Sequence, residues 1–249
     1  MKIILLGACG KMGANVTALC KETGDEIVCG VDLAPKPAPF PVYDSFEKIG
    51  EKADVVIDFS SPQNLTERLD YCKAHALPIL LAATGYSEQD LEAIQNAAAS
   101  IAVFKTGNLS LGVNVLQKLV KKAAAALADF DAEIIEKHHN LKKDAPSGTA
   151  LMLAESAKEG FGGEKRFVCG RHGIVGAREK SEIGIHAVRG GTIVGEHEVI
   201  FAGTDEIVTL SHSARSRMVF ASGALKAAAW LIGRNAGLYD MDDLLETVL

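Results

Sequence analysis

Lys2-Ile3-Ile4-Leu5-Leu6 is a short apolar run cut off by Gly7, and the residues that follow, Gly7-Ala8-Cys9-Gly10-Lys11-Met12-Gly13, space three glycines as G-x-x-G-x-x-G. From Met12 to Thr23 the apolar residues Met12, Val16, Leu19 and Cys20 recur at helical spacing. The stretch therefore reads strand, glycine turn, helix. The same grammar repeats: strand Glu26 to Val31, strand Asp54 to Phe59, helix Pro62 to His75, strand Pro78 to Ala82, helix Ser87 to Ala98 and strand Ile101 to Phe104. Strands separated by helix-length crossovers pair in parallel, and a parallel sheet needs helices over both faces. The expected fold class is α/β, with a Rossmann-like parallel-sheet domain in the first half. One stretch falls outside the alternation: Pro35, Pro37, Pro39 and Pro41 make the segment after Asp32 an irregular loop.

In such sheets ligands bind beyond the carboxyl ends of the strands. The informative residues are then Gly7 to Gly13, Asp32, Phe59-Ser60-Ser61, Ala83-Thr84-Gly85 and Thr106-Gly107-Asn108. Glycines let a backbone approach a pyrophosphate, and the helix that starts here offers unpaired N–H groups and about half a positive charge. Lys11 can add a full charge. Tight packing of helix on strand also demands glycine, and an aspartate before a proline loop can be a plain turn residue. Asp32, however, ends the second strand 19 residues after Gly13 (32 − 13), near the spacing at which a carboxylate accepts from adenosine ribose hydroxyls. The cofactor expected is NADH or NADPH. The lean is to NADH, because a carboxylate repels a 2′-phosphate and Leu33 supplies no compensating charge, although Lys36 lies nearby.

The chain has 249 residues, 48% of them hydrophobic, enough for one large or two modest cores. A formal net charge of −6 argues against a broad basic surface for nucleic acid or anionic membrane, so any anion site must be local. No apolar run approaches the roughly 20 residues of a membrane span, and the N-terminus lacks the pattern of a secretory signal; a cytoplasmic protein is expected. Cys9, Cys20, Cys29, Cys72 and Cys169 are odd in number and form no C-x-x-C pair, which reads as reduced, buried thiols.

After Asn108 the pattern changes. An alanine-rich helix, Gly112 to Ala128, leads to the alternating run Ala132 to Lys137. Ser181 to Val188, Thr192 to Ala202 and Glu206 to His212 then read as a strand meander joined by glycine turns at Arg189-Gly190-Gly191 and Gly203-Thr204-Asp205, both hairpin signals. The second half is expected to be an antiparallel or mixed open sheet with helices on one face, in an α+β domain. Met218 to Ile232 is helical and buried by composition, and Asp240 to Val248 is a short final helix.

Between the two patterns lies Glu133-Ile-Ile-Glu-Lys-His-His-Asn-Leu-Lys-Lys-Asp-Ala-Pro-Ser-Gly-Thr149, the densest cluster of proton donors in the chain. His138 and His139 on a strand point to opposite faces, which makes a shared metal the poorer reading, and none is assigned. Asp144 to Thr149 reads as a helix start with Ser147 or Asp144 as cap, and the N–H groups of Gly148 and Thr149 can grip a carboxylate. A capped helix alone explains Ser147 but not the flanking histidines and lysines.

This stretch resembles the signature E-I-x-E-x-H-H-x-x-K-x-D-A-P-S-G-T-A of the 4-hydroxy-tetrahydrodipicolinate reductase (dihydrodipicolinate reductase) family. The likeness extends through G-x-x-G-K-M-G, Asp58-Phe59-Ser60, Ala83-Thr84-Gly85, Asn108 to Asn114, Arg189-Gly190-Gly191 with Gly195-Glu196-His197, and Ser216-Arg217-Met218, nearly the whole chain. It implies a dinucleotide-binding domain of residues 1–109 and 217–249, with a substrate-binding and oligomerisation domain, 110–216, inserted between. It also implies a homotetramer built through the substrate-domain sheets. The implied reaction is NAD(P)H-dependent reduction of a small cyclic dicarboxylate to tetrahydrodipicolinate, on the diaminopimelate route to lysine. By the same resemblance, His138 is the acid/base histidine and Lys142 the proton donor, while His139, Ser147, Gly148 and Thr149 hold substrate carboxylates. Cofactor contacts fall to Gly7, Ala8, Cys9, Gly10, Lys11, Met12, Asp32, Ala82, Ala83, Thr84, Thr106, Gly107, Asn108 and Leu109. Cys9, Ala82 and Ala83 depart from residues common in the family. An aspartate or homoserine dehydrogenase would share the first half but not the His-His-x-x-Lys and Ser-Gly-Thr combination; a nucleotide sensor would need no donor set.

Overall fold

A computed structural model of the chain describes residues 1–247. In chain order its elements are β1 (Lys2–Leu6), α1 (Lys11–Thr23), β2 (Glu26–Val31), β3 (Val42–Tyr43), β4 (Val55–Asp58), α2 (Leu65–Ala74), β5 (Ile79–Leu81), α3 (Glu88–Ala98), β6 (Ala102–Lys105), α4 (Leu111–Ala126), β7 (Asp131–His138), α5 (Gly148–Gly160), β8 (Arg166–Cys169), β9 (Glu182–Arg189), β10 (Gly195–Ala202), β11 (Ile207–Ala214), α6 (Met218–Leu231), β12 (Gly237–Tyr239) and α7 (Met241–Glu246). They divide into two units, Met1–Ser110 with the described residues from Met218 on, and Leu111–Arg217.

In the first unit seven strands lie in the order β12-β6-β5-β4-β1-β2-β3, every pair parallel. Near-continuous apolar runs suit strands buried on both faces. Ile4, Leu6, Val56, Ile79 and Leu81 pack with Leu65, Leu69 and Ile94 of α2 and α3. On the other side α6 packs on α1 and against β4, β5 and β6, and Phe104 meets Trp230 edge to face at 6.1 Å. Gly223 makes that approach possible, since a Cβ there would stand 1.8 Å from the carbonyl oxygen of Leu109. Helix ends follow local chemistry: Ser87 and Asp90 form a capping box at α3, Asp240 and Asp243 another at α7, and Gly24 closes α1 at φ 76°. The final helix ends at Glu246; Val248, included in its expected span, lies outside the described residues.

The second unit is a mixed sheet in the order β11-β10-β7-β9-β8, with β7 antiparallel to β10 and parallel to β9. Alternation along β7 turns Ala132, Ile134, Glu136 and His138 to one face, where the first two join Val199, Phe201, Leu116, Val120, Leu153 and Ala157 in a core under α4 and α5. Burying each large apolar side chain there contributes about 1.5–3 kcal/mol. The two helices touch closely at Gly160, where a Cβ would come within 2.3 Å of the Lys121 carbonyl.

Three sequence expectations change. Arg189-Gly190-Gly191 is no hairpin: β7 lies between β9 and β10, and the turn instead docks on the end of β7, with Gly190 N–H donating to His138 O at 2.9 Å. The short strands β3, β8 and β12 carry too few residues to show a period, and each sits at or near a sheet edge. Among the cysteines, Cys20, Cys29 and Cys72 are buried but Cys169, on the edge strand β8, is exposed; all five are free thiols. No helix among the described residues is long and apolar enough to cross a membrane.

Candidate active site

The glycine turn follows β1 directly. Gly7 has φ +70° and lies so close to the next strand's end that a Cβ would meet the Phe59 backbone at 3.1 Å. Gly13, in the first turn of α1, allows the helix to lie on the turn: a Cβ would stand 2.3 Å from Ala8 O. Gly10 is the N-cap and supplies no side-chain bond, so the first-turn N–H groups, including those of Lys11 and Met12, carry the helix's partial positive charge outward. Asp32 follows β2 and is half-buried. One carboxylate oxygen accepts from Cys9 N–H at 2.9 Å and the other from Ala34 N–H at 3.1 Å, which ties the turn to the end of β2. A carboxylate offers about four acceptor positions, so two remain for ribose hydroxyls. Both readings of Asp32, turn residue and ligand acceptor, are thus compatible in one side chain.

Beside this turn lies a cavity of about 280 Å³, bordered by Gly7, Asp32, Phe46, Ser60, Asn64 and Arg68. Its wall is held by a buried ion pair: Arg68 donates to Asp58 at 2.9 Å, to the Ser60 hydroxyl and to the carbonyls of Ser61 and Pro62. The loops after β5 and β6 come together, with Gly107 3.8 Å from the Thr84 methyl as measured from a built Cβ. Thr84 and Gly107 are exposed, Ala82 and Ala83 are half-buried, and Thr106, Asn108 and Leu109 are buried. The Thr106 hydroxyl donates to Asn108 O at 3.0 Å and accepts from Asn108 N–H at 3.1 Å, which fixes this loop from within. A dinucleotide fits the turn: glycines where side chains would obstruct, a helix N-terminus for phosphate, a carboxylate for the ribose and a cavity alongside.

In the second unit the buried carboxylate of Glu136 organises the end of β7. It receives His138 Nδ1 at 2.6 Å, Arg189 through two nitrogens at 2.6 and 2.7 Å, and Ser147 N–H at 2.9 Å. Burial works against its ionisation, but the bonds from Arg189, His138 and Ser147 outweigh it and hold the carboxyl below the usual range. Arg189 also donates to Asp144 O at 2.7 Å. Glycine at 195 leaves room for the His138 ring, since a Cβ would come 3.1 Å from Nε2.

Ser147 caps α5, accepting from Ala150 N–H at 3.1 Å, and its hydroxyl lies 2.9 Å from Nε2 of His197. His197 is buried, and its ring meets that of His138 edge-on at 5.2 Å. Burial first, then the neighbouring His138, lower the His197 pKa to about 4. Nε2 of the neutral His197 and the Ser147 hydroxyl share one hydrogen bond, and Nδ1 on the other side of the ring is a buried atom with no hydrogen-bond partner. Ser147 thus bonds within the protein through both its amide and its hydroxyl. The Gly148 position is exposed, and a Cβ there would meet nothing within 4 Å, so packing does not require the glycine. A turn after His139, closed by Lys142 N–H to His139 O at 3.2 Å, carries Lys142 back toward the strand end, where it pairs with Asp144 at 2.9 Å. Hydrogen bonding to Lys142 lowers the Asp144 pKa. His139 Nδ1 is buried without a partner.

Of the residues singled out from sequence, His138, His139, Lys142, Ser147, Gly148 and Thr149 occupy this strand end, turn and helix start, and Gly7 to Met12 with Asp32 form the first unit's turn. Glu136, Arg189 and His197 were given no role from sequence. Period-two alternation from His138 points to Glu136 on the same face, but Arg189 and His197 reach the cluster only through sheet pairing.

Residues 1–109 match the family described as "Dihydrodipicolinate reductase, N-terminus", and residues 112–245 match "Dihydrodipicolinate reductase, C-terminus". The chain belongs to the dihydrodipicolinate reductase family. A 4-hydroxy-tetrahydrodipicolinate reductase of Caldanaerobacter subterraneus subsp. tengcongensis is 50% identical over 247 residues, covering 99% of this chain and 98% of the relative. One of the same name from Clostridium tetani is 46% identical over 250 residues, with 99% and 98% covered. The solved structure of dipicolinate-bound dihydrodipicolinate reductase from Paenisporosarcina sp. TG-14 aligns with a TM-score of 0.80 at 25% identity, covering 100% of this chain and 99% of its own. The paired α/β and mixed-sheet architecture is thus that of the dihydrodipicolinate reductase family.

Proposed function

We propose that this chain reduces 4-hydroxy-tetrahydrodipicolinate to tetrahydrodipicolinate with NADH or NADPH, on the diaminopimelate route to lysine. The observation that carries the reading is the grouping, at one end of β7, of His138 on a buried carboxylate, Lys142 on the following turn, and the helix start at Gly148 and Thr149, open at Gly148. A reduced nicotinamide supplies hydride when bound. Gly7 to Met12 and Asp32 hold the dinucleotide, with Ala82 to Thr84 and Thr106 to Leu109 beside it. The first unit is then the dinucleotide-binding domain and the second the substrate and oligomerisation domain. Gly148 and Thr149 N–H groups, with His139 and Ser147, take the substrate carboxylates, and Ser147 also orders that helix start. Hydride addition to a conjugated imine leaves an electron-rich enamine, which Lys142 and His138 protonate. Such a positioned acid is worth about 10² to 10⁴ in rate.

NADH is the favoured cofactor, because a carboxylate at Asp32 would repel a 2′-phosphate bound beside it and the neighbouring Leu33 is 83% exposed and uncharged. We place the enzyme in the cytoplasm as a homotetramer assembled through the face of the mixed sheet opposite α4 and α5, where Ile135, Lys137, Glu196 and Glu198 are half-buried. The deciding assay supplies the product of the preceding synthase with either cofactor and follows the absorbance of reduced nicotinamide. Turnover is expected, faster in kcat/KM with NADH. Oxidation of aspartate or homoserine with no turnover of the dicarboxylate would overturn the assignment.

A further inference from the structure

Glu136 hydrogen-bonds to both halves of the donor cluster, the strand end at His138 and the helix start at Ser147. Its Oε2 lies 2.6 Å from His138 Nδ1 and 2.6 Å from one Arg189 nitrogen; its Oε1 accepts from the second Arg189 nitrogen at 2.7 Å and from Ser147 N–H at 2.9 Å. Arg189 and a backbone amide are donors in every state. The imidazole alone can exchange donor for acceptor, by moving its proton between Nδ1 and Nε2. A carboxylate at Oε2 therefore requires Nδ1–H and leaves Nε2, over Gly195, as the nitrogen that exchanges protons with a ligand.

We propose that Glu136 is a positioning residue that fixes the Nδ1–H tautomer of His138 and, through its second oxygen, sets the helix start that receives the substrate carboxylate, with Arg189 as its counter-ion. This rests on the reductase reading for its catalytic consequence. Its structural content is independent of turnover.

Glu136→Gln tests the effect, with the loss of one Arg189 bond and of the charge that pairs it, which Glu136→Asp retains. Placed at the Oε1 position, the amide NH₂ would face two fixed donors, Arg189 and Ser147 N–H. Placed at the Oε2 position, it faces Arg189 and His138, and only His138 can adapt. The variant thus keeps the Ser147 bond and inverts the histidine tautomer.

The test labels the full chain with ¹⁵N-histidine and reads the ring nitrogens by long-range ¹H–¹⁵N correlation at a pH where imidazoles are neutral, with His138→Gln assigning the signal. The wild type should carry the proton on Nδ1, Glu136→Gln on Nε2, and Glu136→Asp on Nδ1 again. Glu136→Gln should lower kcat on the order of 10²-fold or more with little change in KM for the dicarboxylate, and Glu136→Asp should recover part of it. A proton on Nε2 in the wild type overturns the proposal without any variant, so a Gln variant that fails to fold does not protect it. Full kcat in Glu136→Gln also overturns it. Absence of turnover in the wild type would sink the reductase reading while the nitrogen spectrum still decides the tautomer.

Discussion

Acidification should weaken the second unit well above the range in which carboxylates titrate, and His197 should be a main reason. Its folded pKa is about 4 against an ordinary 6.5, because charging it would place a proton in a buried site beside His138. The unfolded chain therefore binds a proton that the folded chain refuses between those values. Stability from this group is complete above pH 6.5 and is lost as pH falls toward 4, at about 1.4 kcal/mol per pH unit. By pH 5 the loss is about 2 kcal/mol, and by pH 4 on the order of 3 kcal/mol. His212, lowered by burial, acts in the same direction. Glu133, held at about 2 despite burial by bonds from Arg171, His186 and Arg178, loses its contribution from about pH 4.5 downward, so it adds little between pH 7 and pH 5 and joins the loss only toward pH 4. The assay is an NMR titration of the His197 ring together with urea unfolding at pH 7 and pH 5, comparing the wild type with His197→Gln. The ring should titrate near 4, and the variant should lose about 2 kcal/mol less between the two pH values. A folded-state midpoint near 6.5, or an unchanged pH slope in the variant, would refute the reasoning.

Arg68→Ala leaves the buried Asp58 carboxylate without its counter-ion and should destabilise the first unit by about 3–5 kcal/mol, read as a lowered urea midpoint. Unchanged stability would mean that Asp58 is hydrated or protonated. Lys142→Ala should reduce kcat by about 10²- to 10³-fold with an unchanged circular-dichroism spectrum; full activity would remove Lys142 from the donor role. Leu33→Arg beside Asp32 should raise kcat/KM for NADPH relative to NADH by about tenfold, the equivalent of one exposed charge contact near 1.4 kcal/mol. No change in the ratio would place the 2′-phosphate elsewhere.

Sequence periodicity located the long elements because each signals its own burial. β1, β4 and α3 carry continuous apolar runs or a capping box, and local spacing determines them. Strand order was not readable in the same way. Gly190-Gly191 has the chemistry of a hairpin turn, yet β7 enters between β9 and β10 because its apolar face completes the core beneath α5. At the candidate site, His138, Lys142 and the Ser147-Gly148-Thr149 helix start lie within a dozen residues, so proximity in sequence revealed them. Arg189 stands 53 residues from Glu136, and His197 stands 50 from Ser147. A buried carboxylate demands a counter-ion, but nothing local names which arginine supplies it. Only the pairing of Glu136 with His197 and the end-to-end match of His138 with Arg189 across β7 bring them in.

The first unit is made from both ends of the chain, and this gives its synthesis a particular order. β1 through β6 leave the ribosome before α6, the helix that lies against β4, β5 and β6, and before β12, the edge partner of β6. At ~5–20 residues per second, the stretch Leu111–Arg217 occupies about 5–20 s of translation. During that interval β4, β5 and β6 lack the α6 cover on one face, where only α1 is already made, while the inserted unit, contiguous in sequence, can fold as soon as it emerges. The nascent first half is therefore the form of this protein most in need of a chaperone, and truncation before Met218 should yield an aggregating fragment rather than a smaller folded domain.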